Sequence, residues 1–404
     1  MFIEQSAARR RTVRMLFVLA GVVPCAALAT AAWWRHSAGH VAAVAQAASA
    51  YLGLPVSVGS VVHPRPGVLR LGEVVVGNAA RNESLVLPEL EVETGPGEVR
   101  VRVPGFECSP GAARMLVGLA GEWMHRPARF PEAWVVDVGE VVWAPESGAR
   151  EPTAAGWHVE CVAVDDSRAV RCRREPASVD EVRVRTGPEG LAIEGHVETP
   201  LPLAIVAALV PGGSGWAEAA GAQALVRGRI DAVADAKGWS GVAAGAVEHA
   251  ALASLVAGGG GHAHGEATIT ASSLRFSAGR LTAGEVLVSV SAGTLPQRVL
   301  DAMVSSFGCR PGPAYRSIGG DPVRRFDRCA CHLVLEDGVL QLRSVEGGGG
   351  SLIGAQGLSM VDEPAAAVPA TRLAWFLSPE GRPAVPATPA SVWLMSVLPE
   401  QGSF

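Results

Sequence analysis

Hydrophobic and polar residues alternate with a period of two along much of the chain. Glu89–Glu93 and Glu98–Val103 each place a charged residue beside an aliphatic one, and Thr94-Gly95-Pro96-Gly97 between them is a turn sequence. This alternation is typical of strands with one dry and one wet face. The turn predicts an antiparallel hairpin in which Glu91 faces Arg100, so that opposite charges share the wet face.

The same strand–turn–strand pattern recurs with different residues between positions 54 and 361. Val182–Arg185 is followed by a Gly/Pro turn and Leu191–Glu194, and Asp337-Gly338 separates two further alternating runs. The pattern predicts a mainly β protein: one long, twisted antiparallel sheet with one protected, apolar face. The candidate residues of this apolar face are Leu90, Val92, Val99, Val101, Val103, Val184, Ile193, Val286, Val288 and Val290.

A few short helices are expected to cover this sheet. His40–Gly53 is rich in alanine, and Ser109-Pro110 is a typical helix start with an N-cap followed by proline. Thr294–Gln297 has the spacing of a capping box. Two apolar stretches, 201–210 and 249–256, are further candidates.

A membrane-spanning helix is predicted near the N-terminus. Met15–Trp34 contains twenty residues without a charge, about the length that crosses a bilayer. Arg9, Arg10, Arg11 and Arg14 precede this segment, which places the N-terminus in the cytoplasm and the remaining bulk across the membrane. A cleavable signal peptide ending near Ala27-Leu28-Ala29 is the alternative, and lipidation at Cys25 is disfavoured by the preceding Pro24.

Both main alternatives export the chain beyond residue 35. The expected organisation is therefore a basic cytoplasmic segment, a span, a juxtamembrane helix, a β-groove region and a Pro/Ala-rich end. These parts cover residues 1–14, 15–34, 35–53, 54–361 and 362–404, respectively.

Composition and charge exclude some functions. A net charge of −5 and a pI near 6.1 provide no basic surface, so nucleic acid is not expected as a partner. The chain lacks the sequence motifs of serine hydrolases, zinc proteases, phosphate loops and calcium loops. His262-Ala263-His264 and Cys329-Ala330-Cys331-His332 lack a second ligand pair with metal-site spacing, so no metal, cofactor or catalytic residue is assigned.

Six of the seven cysteines follow the span, where an oxidising compartment permits disulfides. Cys161 and Cys172 flank a predicted hairpin turn at Asp166-Ser167 at equal distances. That placement makes them opposite residues on one sheet face and a candidate disulfide.

Several motifs resemble those of the AsmA family, part of the repeating β-groove superfamily that also contains TamB-like and bridge-type lipid transfer proteins. After the span, Tyr51–Val61 reads YLGLPVSVGSV and Pro66–Val76 reads PGVLRLGEVVV. Later, Phe276–Leu281 and Leu335–Leu342 resemble the family's "F-x-x-G-R-L" and "L-x-D-G-x-L-x-L" repeats.

The resemblance implies a single-pass inner-membrane protein with its bulk in the periplasm. It implies a role in envelope or outer-membrane lipid homeostasis, without catalytic residues. The apolar face of the sheet would then form an open groove that carries membrane lipids, and the ten candidate residues of that face would line it. The alternative is a membrane-tethered, non-enzymatic β scaffold that binds another envelope protein.

Overall fold

The computed structural model describes most of the chain as one large sheet with helices at both of its ends. The described residues are 7–78, 83–130, 132–144, 151–164, 167–174, 179–187, 190–209, 217, 220, 221, 223–256, 263–316, 323–345, 350–376 and 389–398. The protein is mainly β, as the alternating pattern predicts.

The helices and strands have the following bounds. The helices are α1 (Ala7–Phe17), a π-helical turn (Val18–Val22), α2 (Val23–Arg35), α3 (Ala38–Leu52), α4 (Pro110–His125), α5 (Leu203–Leu209), α6 (Leu252–Leu255), α7 (Gln297–Phe307), α8 (Thr371–Phe376) and α9 (Pro389–Val397). The first strands are β1 (Val56–Ser57), β2 (Ser60–Arg65), β3 (Val68–Asn78), β4 (Glu83–Gly95), β5 (Glu98–Cys108), β6 (Ala133–Trp143), β7 (Glu151–Val164), β8 (Ser167–Arg174), β9 (Glu181–Gly187), β10 (Gly190–Pro202) and β11 (Leu225–Asp235). The later strands are β12 (Gly238–Ala251), β13 (Glu266–Ser277), β14 (Arg280–Val290), β15 (Gly293–Pro296), β16 (Arg310–Pro311), β17 (Val323–Phe326), β18 (Arg328–Glu336), β19 (Val339–Ser344), β20 (Ser351–Ala355), β21 (Leu358–Asp362) and β22 (Val368–Pro369).

The N-terminal apolar segment is helical and exposed. Residues Ala8–Arg35 are long and apolar enough to span a membrane, and the apolar window is not buried against the rest of the chain. Pro24 lacks an N–H, so it cannot donate to the carbonyl four residues earlier, and the π-helical turn lies just before it. The expected single span is thus supported by length and composition.

The strands follow one another in chain order across the main sheet. β2 to β14 pair in sequence, β14 then pairs with β18, and β18 pairs with both β19 and β20. Every pairing in this series is antiparallel except β5–β6, which is parallel. The exception arises because α4 carries the chain from the end of β5 back to its start.

The predicted hairpin between β4 and β5 forms with a different register. Glu91 lies opposite Arg102, not Arg100, because the turn is the two-residue Pro96-Gly97 and Gly95 pairs with Glu98. The shift is two residues, so every side chain keeps its predicted face.

Most predicted helices form, with two corrections. Ser109 Oγ accepts the backbone N–H of Ala112 at the start of α4, as expected for its N-cap. Thr294 lies in β15 and is not the N-cap of α7, because α7 begins only after Pro296. The C-terminal region contains α8 and α9, and Leu373, Leu394 and Leu398 pack on the sheet, so this region is more ordered than its Pro/Ala content indicates.

Two hydrophobic clusters lie on the same face of the sheet, one at each end. The N-terminal cluster joins strands β2–β6 to α3, α4 and α5, and the C-terminal cluster joins β12–β14 and β18–β21 to α6, α7, α8 and α9. This face is hereafter the inner face. The helices cover both ends of it, and α4 and α5 also contact β8, β9 and β10, although the apolar rows of these central strands belong to neither cluster.

The central part of the sheet curls tightly. β7 and β10 are separated by two strands, which in a flat sheet would hold them about 14 Å apart. Their Cα atoms nevertheless approach within 8 Å. Glycines also allow a close approach between β11 and β12: Gly228 lies opposite Gly245, and a Cβ on Gly245 would lie 2.8 Å from the Gly228 Cα and would collide with the Arg227 carbonyl oxygen.

Gly245→Ala is therefore expected to force β11 and β12 apart and to lower the free energy of unfolding by about 1–3 kcal/mol. Chemical denaturation of the full chain in detergent, followed by circular dichroism, measures the change. Gly187→Ala is the matched control, because a Cβ there meets no atom within 4 Å. Equal stability of the two variants would contradict the crowding argument.

Candidate apolar groove

Two rows of apolar residues cross the central strands on the inner face. Strand pairing joins them in register from β7 to β12. The first row contains Cys161, Val170, Val184, Ile193, Ala232 and Gly241, and the second contains Val159, Cys172, Val182, Gly195, Ile230 and Ala243. Apart from Ala232, all are half-buried, and none belongs to either hydrophobic cluster.

The dimensions of this strip suit one hydrocarbon chain. Six strands at a spacing of about 4.8 Å extend for about 24 Å, and rows two residues apart lie about 7 Å from each other. An acyl chain occupies roughly 15 Å of a bilayer, half of its hydrocarbon thickness. Because the sheet curls around the strip, these side chains are the candidate lining of an apolar groove.

The predicted lining residues lie in three places: in the central strip, under the helices, and on the inner face of the end strands. Val184 and Ile193 pair directly in the centre of the groove. Three are fully buried under the helices, at Leu90, Val103 and Val290. The remaining five, Val92, Val99, Val101, Val286 and Val288, are half-buried on the inner face of the end strands, where Val92 and Val101 pack against the N-terminal cluster.

Arg168 closes one margin of the groove. Its side chain is buried on β8 and donates to the carbonyl oxygens of Trp123 and Phe130, at 2.7 and 2.6 Å, respectively. The guanidinium also lies 4.5 Å from the centre of the Trp123 ring. Trp123 belongs to the last turn of α4, so Arg168 satisfies helix carbonyls and fastens α4 over the sheet.

Arg174 and Asp180 mark the opposite margin. Arg174 lies on the inner face opposite Trp157, and its Nη1 is 3.6 Å from Oδ2 of Asp180, which is 1% exposed. Asp180 Oδ1 also accepts the backbone N–H groups of Glu198 and Thr199, at the irregularity in β10. Arg174 and Asp180 are therefore paired, Arg168 is satisfied by carbonyl oxygens, and all three lie at the edges of the apolar strip.

Stacked aromatic rings lie between the apolar strip and the helices at the N-terminal end of the sheet. Trp134 continues the first apolar row onto β6, and Tyr51 at the end of α3 stacks on it with 5.9 Å between ring centres. Tyr51 also contacts the edge of Phe130 and donates to Glu132. Arg129 donates to the carbonyl oxygens at the end of α3, which ties α3 to the loop after α4.

The outer face carries the opposite chemistry. An unbroken series of ion pairs runs from β3 to β8: Arg70 to Glu91, Glu91 to Arg102, Arg102 to Asp137, Asp137 to His158, His158 to Glu160, and Glu160 to Arg173. The charged ladder predicted for one hairpin thus extends over six strands. It keeps this face in water and makes inversion of the sheet unfavourable.

His158 is the most enclosed side chain of this series. Its Nδ1 lies 2.6 Å from Asp137 and its Nε2 lies 3.0 Å from Glu160, so both ring nitrogens face carboxylates. Burial by itself lowers the pKa of His158, but the two hydrogen bonds and the two negative charges outweigh it and raise the pKa overall.

Cys161 and Cys172 do not face each other. Cys161 pairs with Val170, and Cys172 pairs with Val159, because Val164 and Ser167 close the hairpin. The predicted turn residue Asp166 lies outside the described residues. The two thiols are free diagonal neighbours in the groove, and burial raises the pKa of each to about 12. The predicted disulfide is therefore wrong for this structure.

The other candidate metal ligands stay dispersed. Cys329 and Cys331 join Cys309 in the C-terminal cluster, while His332 points to the outer face and lies 2.8 Å from Glu285. His264 is exposed, and His262 lies outside the described residues. Among the residues that the structure describes, no group of three His, Cys, Asp or Glu could hold a metal ion.

Sequence reasoning missed the margins of the groove and the pairing of His63. Arg168 and Arg174 occupy inner-face positions of β8, two and four residues from Val170, and this alternation was the available signal, whereas Asp180 precedes β9 and gave none. His63 has a partner, since its Nε2 lies 2.8 Å from that of His40. Only the packing of α3 against β2 brings these two histidines together.

Removing the Arg168 guanidinium should release α4. In Arg168→Ala, two buried carbonyl oxygens lose their donor, and we expect the free energy of unfolding to fall by about 3 kcal/mol. Denaturant titration measures the loss. Arg185→Ala, which breaks the exposed pair with Glu194, is the control and should cost less than about 1 kcal/mol. A similar small loss in both variants would show that Arg168 does not hold the helix.

His158 should make stability depend on pH. Because its pKa is raised in the folded protein, its contribution is fully present below the unfolded pKa of about 6.5 and is lost as the pH rises through the folded pKa. The stability difference between the wild type and His158→Gln should therefore be larger at pH 5.5 than at pH 8. His196→Gln, at an exposed outer-face pair, provides the control. A difference that grows with pH would contradict the assignment.

No family model, curated protein or solved structure matches this chain. Its function is therefore inferred from the groove and the chemistry of its two faces.

Proposed function

We propose that this is a membrane-anchored, non-enzymatic protein that holds the acyl chains of membrane lipids in its apolar groove. The observation that carries the proposal is the double row of half-buried apolar side chains on β7–β12, outside both hydrophobic clusters. A strip of this kind in contact with water is costly unless an apolar ligand covers it.

The separation of charges supports the same function. At the margins Arg174 pairs with Asp180, and Arg168 donates to backbone carbonyl oxygens, so an acyl chain between them would meet apolar groups. The groove offers no directional polar contact along its centre, which suits recognition of hydrocarbon rather than of a particular chemical group.

The apolar span places this groove beside a lipid source. The span ends at Arg35, and only α3 and two short strands precede β3. Together with the resemblance to AsmA-like proteins, this arrangement favours an inner-membrane protein whose bulk lies in the periplasm. Its role there would be envelope or outer-membrane lipid homeostasis.

A membrane-tethered scaffold is the second candidate, favoured by aliphatic side chains at the C-terminal end of the sheet. Val339, Val345 and Leu358 are 42%, 47% and 54% exposed, respectively. A partner protein of the envelope would cover them by pairing with the sheet edge. This candidate predicts crosslinked protein partners and a groove without lipid.

The test measures lipid bound to the exported part, residues 36–404, purified without detergent. We expect co-purified phospholipid in the wild type, detected by mass spectrometry. Val184→Trp should lower the lipid content several-fold, because the indole fills the centre of the groove. Val242→Trp is the matched control, since Val242 is an exposed outer-face residue of β12.

Circular dichroism and thermal unfolding establish that both variants are folded. A folded wild-type protein without lipid, or equal lipid content in Val184→Trp and Val242→Trp, would overturn acyl-chain binding. Protein crosslinks in membranes together with an empty groove would favour the scaffold.

A further inference from the structure

Four basic side chains meet where the chain leaves the apolar span. Arg35 and His36 stand at the end of α2, His40 lies in the first turn of α3, and His63 lies on β2. The helices and the strand bring residues 23 to 28 positions apart into one cluster, hereafter the membrane-proximal basic cluster.

The geometry of the two inner histidines is close and well fixed. His40 Nε2 lies 2.8 Å from His63 Nε2, and the ring centres are 5.1 Å apart. Trp34 packs against the first turn of α3, where a Cβ on Gly39 would lie 3.4 Å from its ring. Ser37 caps the same turn by accepting the His40 N–H. The angle between span and sheet, and with it the cluster, is therefore defined by packing.

The four basic side chains of the cluster have no carboxylate partner among the described residues. Arg65, on the same strand as His63, is by contrast paired with Glu93 at 3.1 Å. Burial lowers the pKa of His63, and the charges of Arg35, His40 and His36 lower it further. The groups facing His63 from α2 and α3 are thus all basic, and an anion would relieve their repulsion.

The position of the cluster identifies the anion. It follows Trp33 and Trp34, residues that anchor span ends at the level of lipid headgroups. Phosphate groups of phospholipids lie at that level, and arginine and protonated histidine are strong donors to phosphate oxygens. A metal ion is disfavoured, because among the described residues no three ligands are arranged to hold one.

We propose that Arg35, His36, His40 and His63 bind the phosphate group of a membrane phospholipid at the base of the sheet. The inference rests on the proposed lipid function and adds a separate site for the headgroup, at the end of the sheet where the span joins α3. The groove supplies contacts for acyl chains, and the membrane-proximal basic cluster recognises the phosphate ester that distinguishes phospholipids from uncharged lipids.

The experiment separates headgroup from acyl chain. The full chain in dodecyl maltoside is titrated with dioleoyl phosphatidylglycerol and, separately, with dioleoylglycerol, which has the same acyl chains without phosphate. Native mass spectrometry counts the bound lipid. We expect the double variant His40→Gln/His63→Gln and the single variant Arg35→Gln each to weaken phosphatidylglycerol binding about tenfold, with unchanged dioleoylglycerol binding.

Raising the pH from 6 to 8 should weaken phosphatidylglycerol binding in the wild type and not in the double variant.

His196→Gln is the matched control, because His196 is exposed on the outer face of β10. Thermal unfolding confirms that each variant is folded. Equal phosphatidylglycerol binding by the wild type and both cluster variants overturns the inference. The inference is also overturned if the binding of inorganic phosphate depends on His40 and His63 while the binding of lipid does not. Loss of dioleoylglycerol binding in Val184→Trp, with the cluster variants unaffected, would retain the groove and reject the headgroup site.

Discussion

The whole structure depends on keeping opposite chemistry on the two faces of one sheet. Each strand alternates charged and aliphatic side chains, and in-register pairing turns that alternation into continuous rows. The outer rows become a chain of ion pairs, while the inner rows become an apolar strip. A one-residue slip in any hairpin would bring carboxylates under the helices, where their desolvation is costly.

The inner face is used differently along its length. At both ends, helices cover it and produce ordinary hydrophobic cores with side chains such as Leu300, Leu352 and Val361 almost fully buried. In the centre, α4 and α5 contact β8, β9 and β10, but the apolar rows there join neither cluster. The glycine pair at Gly228 and Gly245 lets β11 and β12 approach closely, because a methyl group there would collide with the facing backbone. One pattern thus produces two helix-covered cores and a central apolar strip.

Charged groups define where the groove ends. Arg168 at one margin satisfies carbonyl oxygens at the end of α4, and Asp180 at the other is fixed by two backbone N–H groups. Both are structural anchors as well as boundaries. Among the described residues, the side chains of the membrane-proximal basic cluster form no ion pair and lie at the base of the sheet, beside the apolar span. The proposed phospholipid would place its acyl chain on the apolar strip and its phosphate at this cluster.

The sequence by itself determined the fold class, the faces of the strands and the apolar span, because each follows from a local period or from length. It predicted the start of α4 from Ser109-Pro110, but it placed the β4–β5 register two residues away, since a four-residue and a two-residue turn give the same alternation. Tertiary structure alone decided which part of the apolar face stays open. It also separated Cys161 from a direct partner in Cys172, made β5–β6 parallel and joined His40 to His63. Those features depend on distances between elements remote in the chain, and no local pattern encodes them.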